Sequence, residues 1–159
     1  MKKLVFVFVF ILFVNEFIFA EDYLVPEMGN NTNNSIMVDM KLNTLIFLNF
    51  GISYEHRLMD HFSLFYHADI ITLLVFRAMG FNTELHCRWY PLTEELNNLY
   101  VSLGIGYGRF INYNQLNITT RIGWKIIREG FITEPFIGYT YSPGGVSQYY
   151  LGIASGWSF

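Results

Sequence analysis

The sequence predicts an all-β protein: a closed antiparallel eight-stranded transmembrane β-barrel preceded by a cleavable signal peptide. Three observations carry this. Apolar and polar side chains alternate along segments of about ten residues, the length of a tilted membrane-crossing strand. Residues 148–159 put Tyr149, Leu151, Ile153, Trp157 and Phe159 on one face, interrupted only by Ser155; Gln148, Tyr150, Gly152, Ala154, Gly156 and Ser158, mostly small or polar, lie between them. At the other end, Lys2 and Lys3 precede the apolar run 4–14, which leads to Ala20 and the acidic pair Glu21 and Asp22, the tripartite form of an export signal.

That run is too short to span about 30 Å of hydrocarbon, and Asn15 and Glu16 interrupt it. Residues 1–20 therefore read as a signal peptide cleaved after Ala20, residues 21–34, with the Asn-rich stretch 30–34, as a flexible lead-in, and residues 35–159 as the barrel. A formal charge of −3 at pH 7 offers no basic surface for nucleic acid. The 19% aromatic content is high for a soluble chain and suits rings placed at membrane interfaces. The single cysteine, Cys87, excludes an internal disulfide and lies far from the signal junction, so no lipoprotein acylation site is available. By alternation it falls on the lipid face beside Leu85 and Trp89.

Eight alternating segments follow: residues 35–43, 45–56, 62–72, 79–91, 99–111, 117–128, 131–141 and 148–159. The fifth is the cleanest, with Leu99, Val101, Leu103, Ile105 and Tyr107 on one face and Ser102, Gly104, Gly106 and Gly108 on the other. Glycines on the inner face of a narrow barrel let bulky neighbours fill the lumen. The sixth and seventh meet at Glu129 and Gly130, a two-residue hairpin that pairs Arg128 with Phe131 and sets Lys125 opposite Glu134, both pointing inward. Pro135 on the outer face lacks a backbone donor, which predicts a bulge or a missing hydrogen bond. An even strand number puts both barrel ends on the periplasmic side, with connections around 73–78, 112–116 and 142–147 facing outward. The apolar run 70–76 breaks alternation and either extends the third strand or forms an external lip. Tyr54, Trp89, Tyr107, Trp124, Tyr139, Tyr141, Tyr149, Trp157 and Phe159 suit two interfacial girdles.

Projecting every strand by its period of two places Asp39, Lys41, Glu55, Arg57, Asp69, Glu84, Arg88, Arg121, Lys125 and Glu134 on the inner face. Charges facing hydrocarbon would cost about 2–4 kcal/mol each at mid-depth, whereas five acids and five bases in a lumen can pair. This predicts a lumenal charge network and no large pore, because eight strands enclose a space that side chains just fill. A soluble lipocalin-like barrel, the competitor, would show the opposite polarity. His67 with Asp69, and Glu84 with His86 and Arg88, also suggest acid–base chemistry with Ser63 or Ser102 as nucleophile, although no nucleophile motif surrounds either serine. His56 and His61 flank a turn without the further ligands of a closed metal site. No cofactor is called for.

Residues 52–70, 84–108, 131–141 and 149–159 resemble the strand-turn-strand units of small bacterial outer-membrane β-barrels, the OmpA/OmpX/OmpW-like eight-stranded proteins. Trp157 and Phe159 resemble the C-terminal signal read by the barrel-assembly machinery, with Ala154 standing where that pattern usually has glycine. The resemblance implies a bacterial outer-membrane location, outer-membrane lipid as surroundings and that machinery as a partner in biogenesis. It implies a structural or interaction role first, and a lipid-A- or phospholipid-modifying enzyme or a narrow solute channel as alternatives.

Overall fold

A computed structural model of the chain describes residues 33–43, 47–73, 78–92, 98–110, 113–143, 145 and 147–159. The expected signal peptide and most of the lead-in lie outside the described residues, as do the connections at 44–46, 74–77, 93–97 and 111–112. Eight strands run in chain order: β1 (Asn34–Asn43), β2 (Phe47–Met59), β3 (Phe62–Leu73), β4 (Ala78–Trp89), β5 (Asn98–Phe110), β6 (Tyr113–Arg128), β7 (Phe131–Tyr141) and β8 (Gln148–Ser158). Each pairs antiparallel with the next, and β1 pairs with β8, so the sheet closes on itself and keeps no free edge.

Closure is completed at one rim. Asn34 and Phe159 exchange backbone hydrogen bonds of 3.1 and 2.9 Å, and Ser158 N–H donates to Gly130 C=O over 2.8 Å. This rim also carries the turns at 60–61 and 129–130, and we call it the terminal rim; the opposite one is the distal rim. Glu129 (φ 52°) and Gly130 (φ 83°) both occupy the left-handed region, as a tight hairpin turn matching strand twist requires.

Boundaries differ from the sequence expectation where alternation carries past a turn signal. β6 begins at Tyr113, not Asn117, so most of the expected 112–116 connection is strand; β4 stops at Trp89, leaving Pro91 outside it; β2 continues past His56 to Met59. Ile70 to Leu73 extend β3, with Ile70 outward and Ile71 inward; residues 74–76 lie outside the described residues. At Pro135 the register runs on unbroken, but the β6–β7 pairing lapses between Gly123↔Phe136 and Ile126↔Thr133. The missing donor removes ladder contacts without shifting the register.

Side chains sort by face as a lipid-solvated barrel demands. Leu103, Ile105, Ile122, Ile137, Leu151 and Trp157 are exposed, whereas Glu55, Arg88, Arg121, Lys125 and Glu134 are at most 1% exposed. A barrel dissolved in water would invert this pattern. Rings pair on the outer wall: Phe131 packs edge-on to Trp157 at 5.5 Å, and Tyr139 lies 4.8 Å from Tyr149. Cys87 is exposed on this wall.

Candidate functional site

Inside, the side chains form two polar layers with rings and guanidinium groups between them. The terminal layer is built on Arg88 of β4. Its guanidinium donates two bonds of 2.8 Å to Glu134 of β7 and one of 3.1 Å to Glu55 of β2, joining three strands across the lumen. Two parallel N–H···O bonds to one carboxylate are the strongest geometry available to an ion pair. Lys125 of β6 adds a 2.7 Å bond to Glu55 and a 3.2 Å bond to Ser35. Tyr90 O–H donates to Glu55 at 2.6 Å, Tyr100 O–H to Glu134 at 2.7 Å, and Ser63 O–H also donates to Glu55. Two carboxylates thus meet two cations and three hydroxyls, and each carboxylate oxygen has at least one donor.

The distal layer is looser and richer in amides. Asp69 takes bonds from Lys41 (2.7 Å) and Asn49 (3.1 Å), with His67 Nε2 at 2.7 Å. Glu84 receives Asn82 (2.8 Å) and Thr119 (3.1 Å), with His86 Nε2 at 3.0 Å. Asn117 donates to Asn82, and Ser142 to Asn117. Asp39 is the exception. It lies 3.1 Å from His67 Nδ1, but neither of its buried oxygens accepts a hydrogen bond, and the His67 Nδ1 atom has no hydrogen-bond partner either.

Between the layers Phe65 of β3 lies under two arginines, with the Arg88 guanidinium 3.5 Å and that of Arg121 5.1 Å from its centroid. Arg88 also faces Tyr100 at 4.2 Å, and Arg121 faces Phe136 at 4.3 Å. Ring faces carry negative charge density, so desolvated guanidinium groups gain about 2 kcal/mol or more from such stacking. The rings fit because glycines stand beside them. A Cβ on Gly123 would come within 2.5 Å of Tyr100 Oη, and one on Gly152 within 2.5 Å of Phe136.

Of the ten charged residues expected to face inward, the structure places Asp39, Lys41, Glu55, Asp69, Glu84, Arg88, Arg121, Lys125 and Glu134 inside. Arg57 departs from the network and not from the alternation, since it keeps inward parity opposite Ser63 in the β2–β3 ladder. It sits beside an irregularity in β2 between Arg57 and Met59, and its guanidinium pairs at 3.3 Å with Asp60 of the terminal-rim turn, outside the lumenal layers. Apart from Arg57 at the rim, the described residues thus put five carboxylates against four Lys and Arg groups inside, with two buried histidines beside carboxylates. Phe65, Tyr90, Tyr100 and Phe136 did not figure in the expected network, although Phe65, Tyr100 and Phe136 share the inward parity of His67, Ser102 and Glu134.

The serine candidates divide. Ser63 is bound to Glu55. Ser102 Oγ lies 3.3 Å from His86 Nδ1, completing a Glu84–His86–Ser102 chain in which an acid orients a histidine beside a hydroxyl. Ser102 is only 2% exposed and points into the packed interior. His56 contacts Asn34 and His61 contacts the Tyr90 carbonyl. Among the described residues no three His, Cys, Asp or Glu side chains converge as a metal site.

Comparison with known proteins decides the fold and nothing finer. The chain is similar to the solved N-terminal β-barrel domain of Pseudomonas aeruginosa OprF, with a TM-score of 0.63 and 19% identity over 80% of this chain and 98% of that domain. The fold is that of a small transmembrane β-barrel. A de novo designed transmembrane β-barrel also matches, with a TM-score of 0.54 and 12% identity over 83% of this chain and all of the design. No protein-family model matches the chain, and no curated protein matches it significantly. Likeness to a designed sequence fits a fold specified by closure and alternation rather than by one set of residues.

Proposed function

We propose that this chain is an outer-membrane barrel of structural or interaction type, whose lumen is closed by its own side chains and passes no large solute. The observation that carries the reading is the clamp of Arg88 on Glu55 and Glu134, capped by Phe65 lying under both Arg88 and Arg121. An eight-stranded barrel has an interior about the width of its inward side chains, and these ones join opposite walls. Outer-membrane placement is supported by the signal-like residues 1–20 and by likeness to the OprF domain. Outer-membrane lipid and the barrel-assembly machinery are the partners that this placement brings. The test is single-channel recording of the purified protein in planar bilayers. Silence, or only rare small steps, is expected; stable, large, water-filled steps would overturn the closed lumen.

A second reading, a lipid-modifying enzyme, is favoured by the Glu84–His86–Ser102 chain. Burial of Ser102 in the interior weighs against it, since a lipid ester would have to cross the barrel wall. Phospholipid and lipid A profiles of cells carrying His86→Ala, with normal barrel migration on gels, separate the two; an unchanged profile removes the enzyme.

A further inference from the structure

We propose that Phe47 and Phe110 form an apolar seal across the distal mouth, closing the amide-lined half of the lumen to the water outside. The inference rests on the closed-lumen reading and adds a second barrier to the central one. Phe47 opens β2 and Phe110 ends β5. These strands are not neighbours, since β3 and β4 lie between them. Their rings nonetheless meet edge to face, 5.2 Å apart at 76°. Both positions share inward parity, Phe47 with Asn49 and Phe110 with Gly108, so the contact spans the mouth rather than the outer wall. Opposite Phe110 in the β4–β5 ladder stands Gly80, where a Cβ would come 2.1 Å from the Arg109 carbonyl oxygen. Ile71, 7% exposed, sits in register with Asn49 and Gly80 on the strand between them. On the far side of the mouth, a Cβ on Gly145 would meet Gln115 Oε1 at 2.6 Å, so Gly145 lies close to Gln115.

The consequence appears in the polar groups below. Asn43, Asn49, Asn82 and Asn117 lie towards the distal ends of their strands, where an open mouth would hydrate them, yet they are 5%, 5%, 7% and 4% exposed. They satisfy one another or the carboxylates instead. A constriction lined by rings repels water and hydrated ions by dewetting, which is the property that an outer seal needs.

The experiment reads access from solution to the inner face below the rings. In a Cys87→Ser background, Ser53→Cys places a thiol on the inner face of β2, where Ser53 is 2% exposed and makes only a 3.5 Å bond to the Met37 carbonyl. Tyr113→Cys at the distal rim, where Tyr113 is 75% exposed, is the reference. The folded protein is treated with a cationic, membrane-impermeant methanethiosulfonate. The seal predicts much slower labelling at 53 than at 113. It predicts a rise of about tenfold when Phe47→Ala or Phe110→Ala is added, equivalent to about 1.4 kcal/mol of opening free energy, and no rise with Phe47→Leu. Heat-modifiable migration checks that each variant is folded. Labelling at 53 as fast as at 113 with both rings present overturns the seal and needs no ring variant; so does a rate that the alanines leave unchanged. Conductance separates the two closures. Channel steps in the parent protein would sink the closed-lumen reading, whereas fast labelling at 53 without conductance would sink the seal alone.

Discussion

The two halves of the lumen use similar residue types and reach different degrees of completion. In the terminal half, Glu55 and Glu134 share Arg88, Lys125 and three hydroxyls, so their charges are matched within one layer. In the distal half, Asp39, Asp69 and Glu84 face Lys41, the more distant Arg121 and a run of amides, and Asp39 is left without a hydrogen bond. The difference teaches where the barrel is held. A buried network in which every carboxylate oxygen has a donor ties its strands strongly, because removing any member strands a charge, while one with orphaned carboxylate oxygens contributes less and tolerates change.

Breaking the terminal half should therefore have the largest effect. Arg88→Met strips Glu134 of its paired guanidinium and leaves Glu55 with Lys125, and should cost about 3–5 kcal/mol, read as a lower urea midpoint in vesicles and loss of heat-modifiable migration. If Arg88→Met unfolds like the parent, the terminal network is not what holds the barrel. Next comes Phe65→Ala, which opens a cavity between two guanidinium groups. A loss of about 3–5 kcal/mol is the ordinary range for such a truncation, and small conductance steps should accompany it as the central barrier thins. Asp39→Asn in the distal half should be nearly neutral, within about 1 kcal/mol of the parent and on the stabilising side if anything, because it removes a buried charge that has no donor. A large loss there would show that the two halves are alike after all. The smallest effect is expected at the turn: Glu129→Asn, better suited to a positive φ, should stabilise by roughly 0.5 kcal/mol, measured by the same urea midpoint.

Much of this was legible in the sequence, for a physical reason. A period of two states which face a side chain takes, and in a barrel that decides between lipid and lumen. Eight strands, the hairpin at Glu129 and Gly130, and the inward placement of Glu84, Arg121 and Lys125 all follow from it. Alternation does not state height, nor which of the eight strands lies across the lumen. Nothing in the spacing tells that Arg88 reaches Glu134 on β7, 46 positions away, or that Lys125 meets Glu55 on β2. Tyr100 shares the parity of Ser102, and Phe65 that of His67, so their inward direction was readable. Their role was not, because a ring serves a guanidinium only once both have been brought to the same level. Arg57 differs for the same reason: its parity was readable, but not that it stands at the terminal rim, where its guanidinium meets Asp60.

The barrel keeps ionised groups inside its wall and apolar ones outside it. Carbene photolabelling of the unmodified protein in vesicles, with a lipid-borne diazirine and residue-level mass spectrometry, tests this without any substitution. Modification is expected on Leu103, Ile105, Ile122, Ile137 and Trp157, with Glu55, Glu84 and Glu134 unlabelled. Label on those three carboxylates, or none on the five apolar residues, would contradict it.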